Sequence, residues 1–80
     1  MRTYEEAVNV IASMDAQMCM MQDEMLARFI EDGGSVIGNA IKRSLVVMKQ
    51  ERTHFVKAFT WAYDVSAHDF ESDVAKQLRS

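Results

Sequence analysis

Eighty residues with 49% hydrophobic content, a net charge of −3 and no proline make one domain at most, ordered rather than disordered, and near the lower size limit for folding alone. A lone cysteine, Cys19, excludes an internal disulfide, and no run approaches the ~18 uninterrupted apolar residues of a membrane span. The acidic opening Thr3-Tyr4-Glu5-Glu6 argues against a secretory leader, so a reducing, cytoplasmic setting without membrane contact is expected.

The first predicted element runs from about residue 4 to residue 32. Thr3 is placed to cap it, and Glu6 three residues on completes a capping-box pattern. Glu5 and Glu6 also suit the positive end of the helix dipole. Apolar residues recur at Tyr4, Ile11, Met18 and Met25, and at Ala7, Met14 and Met21, where Arg28 breaks the series. Three successive heptads of this kind predict an amphipathic helix. A second apolar set, Ala12, Ala16, Cys19, Leu26 and Ile30, lies off that seam. One antiparallel neighbour does not cover both faces, which argues for a second molecule. Met18, Met20 and Met21 around Cys19 predict a buried, unreactive thiol. Five of the seven methionines fall between Met14 and Met25. They fit a core in which Met stands for Leu, or a deformable surface that grips another protein.

Gly33-Gly34 ends this helix, because glycine takes the left-handed C-terminal geometry without steric cost, and Ser35 offers a cap for the next. The second helix spans about 36–63. Gly38 and Asn39 weaken its first turn, leaving its start free to slide. Its seam reads Ile41, Leu45, Met48, Arg52, Phe55, Phe59, Ala62. An arginine inside an apolar seam often fixes register or oligomeric state. Residues 64–66 read as a break. Ser66 with Asp69 then repeats the capping spacing and opens a third helix, about 67–79, with Ala67, Phe70, Val74 and Leu78 on its apolar face. About a dozen residues rarely hold a helix alone in water, so this segment must dock on the bundle or on a partner.

Charge divides along the chain. Residues 4–32 carry seven acids against Arg28 alone, whereas residues 36–63 carry Lys42, Arg43, Lys49, Arg52 and Lys57 against Glu51. An acidic first helix beside a basic second one favours the hairpin. Exposed pairs add only ~0.2–1 kcal/mol each, so apolar burial must supply the stability.

No catalytic or metal pattern emerges. His54 and His68 stand fourteen residues apart without a Cys or His at ligand spacing. Cys19 has no base near it in sequence, and Ser35 lies in a glycine turn without a nucleophile elbow. The adjacent acids (Glu5-Glu6, Asp23-Glu24, Glu31-Asp32) point in different directions on a helix. No cofactor, metal or catalytic residue is expected, and the chain reads as non-enzymatic. Aromatic residues gather late, and Trp61, Tyr63 and Phe70 are the candidate anchors for a partner protein. Lys42, Arg43, Lys49 and Lys57 carry the alternative of a nucleic-acid-binding dimer. A structural assembly subunit is the other alternative.

Gly34-Ser35-Val36 through Ile41 to Leu45 resembles the helix start of small enterobacterial biofilm-related helical regulators, over about a dozen residues. In style, being very short, methionine-rich and all-helical without catalytic residues, the chain resembles small phage- or plasmid-encoded regulators such as antirepressors and anti-CRISPR proteins. That resemblance implies binding and inhibition of a bacterial factor and transfers no residue roles.

The expectation is therefore a single all-α domain over residues 1–80: a long antiparallel helical hairpin plus a short third helix. It would dimerise into a helical bundle through Ile11, Met14, Met18, Met21, Met25, Leu45, Met48, Arg52, Phe55 and Phe59. Its function would be to bind and occlude or sequester another protein.

Overall fold

A computed structural model describes residues 3–32 and 36–79 of the chain. Three helices account for nearly all of them: α1 (Tyr4–Asp32), α2 (Val36–Tyr63) and α3 (Ala67–Arg79). No strand occurs among the described residues. The expected glycine turn at Gly33-Gly34 and the Ser35 cap lie outside them.

Local signals set the helix ends. Thr3 Oγ1 accepts the Glu6 amide at 3.2 Å, and the Thr3 carbonyl accepts the Ala7 amide, so the cap of α1 forms as the sequence suggests. Ser66 caps α3 in the same way, its Oγ accepting the Asp69 amide at 3.1 Å. Lys76 and Arg79 in the last turn and Asp69 in the first then complement the α3 dipole. Between the two caps, α2 stops in a Schellman motif. Asp64 takes a left-handed φ of 53°, its amide reaches the Trp61 carbonyl, and the Val65 amide reaches the Thr60 carbonyl at 3.0 Å.

α1 and α2 form the hairpin. The molecule measures 46 × 25 × 22 Å, and a 29-residue helix at 1.5 Å per residue, ~43 Å long, accounts for the long axis. The tightly packed core occupies only one end. Ala7, Val8, Ile11 and Ala12 of α1 meet Phe70 and Val74 of α3, with Tyr4, Met14, Val56, Phe59, Tyr63 and Val65 around them. Phe70 and Ile11 are wholly buried. Burial of Phe70 and Val74 contributes on the order of 1.5–3 kcal/mol each, which offsets the poor autonomy of a thirteen-residue helix. The protein is thus a three-helix bundle at one end and a bare two-helix hairpin at the other.

This arrangement corrects several expectations. Ala12, assigned to a face needing a second molecule, is covered by α3 of the same chain; Ala16, Cys19, Leu26 and Ile30, farther along that face, stay exposed. Cys19 is therefore an exposed thiol, not a buried one. Gly38, a weak helix former, is also a buried seat. The ring of Phe29 lies over it so closely that a Cβ there would stand 3.4 Å from the ring. That contact pins the start of α2 and moves the end of the α1 seam from Arg28 to Phe29, the drift expected of a 3.6-residue helix against a 3.5-residue repeat. Arg28 instead faces Glu24, 3.8 Å away.

Candidate interaction surfaces

Arg52 does not stand alone in the seam. From α2 its Nε donates to Asp15 Oδ1 at 2.5 Å, and its Nη2 donates to Asp15 Oδ2 at 2.9 Å and to Glu71 Oε1 at 2.8 Å. One guanidinium fork thus ties α2 to both α1 and α3. The Arg52 and Asp15 side chains keep 21% and 22% of their exposure, while Glu71 keeps 46%. Hydrogen bonding to Asp15 outweighs the cost of burial and holds the guanidinium still more firmly protonated than usual. Arg52, expected inside an apolar seam, finds its polar partners in its own chain. Sequence missed this because Asp15 is thirty-seven residues away. The acidic bias of the first helix against the basic second was the available signal.

At the same end, Tyr4 sits edge-on to Tyr63 (5.8 Å between ring centroids) and Phe70 (6.0 Å), and Phe70 leads on to Phe59 at 6.2 Å. The Tyr4 hydroxyl donates to Asp73 Oδ2. Burial, reinforced by the carboxylates of Asp73 and Asp69, pushes its phenol up to about 12.

The candidate contact residues scatter over very different environments. Ile11 and Leu45 are buried within the chain, and Met14, Met18, Met21, Met25, Met48, Arg52 and Phe59 are half-buried between helices. Phe55 is exposed and stacks on Phe59 at 6.0 Å. Of the three anchors expected for a partner, Trp61 is 87% exposed, Tyr63 is half-buried against Tyr4, and Phe70 has no exposure at all. Phe70 is a core residue, out of a partner's reach in this fold. So is Ile11.

Where the hairpin closes, Leu26 and Ile30 of the off-seam apolar set are joined by two residues of α2 that the sequence pattern does not link to them. Leu26 and Ile30 near the end of α1 and Val36 and Ile37 at the start of α2 are all exposed, Ile30 and Val36 by more than 80%. Alongside, Lys42 and Arg43 line a shallow hollow on the outer side of α2 with Val36, Asn39 and Val46. Gln22, Met25, Lys42, Leu45, Val46 and Lys49 line a second hollow, between α1 and α2.

Among the described residues no group of three or more His, Cys, Asp or Glu is placed to hold a metal ion, and no helix is long and apolar enough to cross a membrane. His54 and His68 are both exposed. No family model, curated protein or solved structure matches the chain.

Proposed function

We propose that this chain is a small non-enzymatic regulator that binds another protein and occludes it. One observation carries the reading. After the chain has folded, large aliphatic side chains at the closed end of the hairpin remain in water, together with Trp61 on the opposite half of α2. Grouped apolar exposure of this kind marks contact surfaces on soluble domains. An indole held at 87% exposure has the character of a binding anchor. Self-association through the hairpin belongs to the same reading, since a second copy is one molecule able to cover the group.

Capture from bacterial lysate on the immobilised chain, run beside the Ile30→Ser/Val36→Ser variant, tests it. A protein retained by the native chain and lost from the variant is the expected result. Identical capture by both, or none by either, overturns the reading. The hollow that joins Lys42 and Arg43 supports nucleic-acid binding as a second reading. In that case DNA or RNA shifts on a native gel at low salt and is released as salt rises; no shift at low salt removes it.

A further inference from the structure

The hairpin already shows how it holds a helix, because α3 is one. Phe70 and Val74, one turn apart, are the buried side chains of α3. Glu71 beside the first of them reaches Arg52 on α2, and Asp73 accepts the Tyr4 hydroxyl of α1. In this seat, apolar residues at i and i+4 pack against α1 and α2, and an acid next to the first of them meets a base on α2.

The residues of that seat repeat every seven positions and do not stop where α3 does. On α1 the series is Val8, Asp15, Gln22. Val8 is in the core beneath α3, and Asp15 holds the arginine that grips Glu71. On α2 the series is Tyr63, Val56, Lys49, Lys42, and its first two members pack against the same core. The series Phe59, Arg52, Leu45 runs parallel, from a ring contact with Phe70, through the ion bridge, to a buried leucine. α3 does not follow the groove. At its end Gln77 and Leu78 line a hollow with Asn9, Ala12, Ser13 and Ala16 of α1. Beyond Arg52 the groove is open.

We propose that this open continuation, floored by Met25 and Leu45, walled by Val46 and Gln22, and rimmed by Lys42 and Lys49, is a second seat for an acidic amphipathic helix supplied by the partner protein. The proposal rests on the protein-binding reading above and gives it a location and a chemistry. The hollow measures about 210 Å³. That suits two or three side chains of a helix, not a small molecule, whose pockets run to ~300–1,000 Å³. Lys42 and Lys49 are exposed and have no ion pair among the described residues, whereas Arg52, the next base along the rim, is already bonded to Asp15 and Glu71. The third helix of a second copy is a poor occupant, since its Phe70 and Val74 are already buried in their own fold. A separate protein with a helix of the same character fits better.

The probe is a blocked synthetic peptide with the sequence of residues 66–79, titrated into the full chain and followed by amide chemical shifts. The expected result is saturable shifts at Gln22, Met25, Leu45 and Val46, with affinity roughly tenfold weaker for the Lys42→Glu/Lys49→Glu variant. A Phe70→Ser/Val74→Ser peptide should produce no shifts. Shifts confined to Ala7, Ile11 and Phe59 mean simple exchange with α3 and overturn the proposal. So does the absence of any shift at millimolar peptide. Concentration-dependent shifts at the same four residues without peptide assign the groove to a second copy and overturn the choice of occupant. The lysate experiment separates the two levels. A protein captured equally by the native chain and by Lys42→Glu/Lys49→Glu, but lost from Ile30→Ser/Val36→Ser, leaves the protein-binding reading standing while this seat fails.

Discussion

Replacing Arg52 with leucine is the most informative perturbation of the fold. The substitution keeps the apolar stem's volume and removes three hydrogen bonds, two of them to one carboxylate. Wholly buried ion pairs cost ~3–5 kcal/mol when one partner is removed, and fully exposed pairs ~0.2–1 kcal/mol. At 21% and 22% exposure, the Arg52–Asp15 pair lies between these limits. The more exposed Glu71 contact adds only a few tenths of a kcal/mol. A loss of about 2 kcal/mol follows, and for a domain of this size that lowers Tm by roughly 10 °C. Removing both partners should cost much less, because the one carboxylate left without its arginine, Glu71, is 46% exposed and reaches water: Asp15→Leu/Arg52→Leu is expected within ~1 kcal/mol of the native chain. Urea unfolding followed by circular dichroism on the four members of this cycle gives the coupling energy directly. Arg52→Leu should leave the oligomeric state unchanged, since the arginine's partners are in its own chain. A single Arg52→Leu variant more stable than native, or one with altered stoichiometry, refutes the reasoning.

Four further outcomes follow from the same geometry. The Tyr4 phenol is pushed up to about 12 against an unfolded value near 10, so the native state binds the extra proton in that interval. Stability should fall as pH rises from about 10 to about 12; a Tyr4→Phe variant followed by thermal melting at each pH should lack that component and be less stable at neutral pH by ~1 kcal/mol. Asp64, with its φ of 53°, should gain about 0.5–1 kcal/mol on replacement by glycine and lose stability on replacement by valine, read from denaturant midpoints. Phe70→Ala should cost ~3–5 kcal/mol and release α3, visible as lost helicity. Trp61→Ala should stay within ~0.5 kcal/mol of native yet reduce partner capture.

What the sequence made legible is the information that lies close along the chain. Thr3 with Glu6 and Ser66 with Asp69 are three-residue patterns, and each cap forms. The apolar periodicity sets α1, α2 and α3 within a residue or two of their observed ends. Contacts between distant positions were not readable. Tyr4 meets Asp73 across sixty-nine residues and Arg52 meets Asp15 across thirty-seven; no local pattern announces either. Gly38 illustrates the difficulty well. As a helix residue it is unfavourable by ~1 kcal/mol relative to alanine, and only the Phe29 ring lying against it gives that position a packing role. The first helix carries more apolar surface than α2 covers. α3 takes the half containing Val8 and Ala12, and the half containing Leu26 and Ile30 is left open. Cys19 falls on the open half, which is why its methionine neighbours misled.

Residue-resolved hydrogen exchange of the isolated chain examines the division between a packed end and an uncovered end most directly. Amides around Ile11, Phe59 and Val74 should exchange only through global unfolding. Those from Met20 to Ile30 and from Ile37 to Val46 should exchange at least about tenfold faster, through local opening worth ~1.4 kcal/mol less than unfolding the whole. Uniform protection from one end of the hairpin to the other, or slowest exchange at its closed end, would contradict the account.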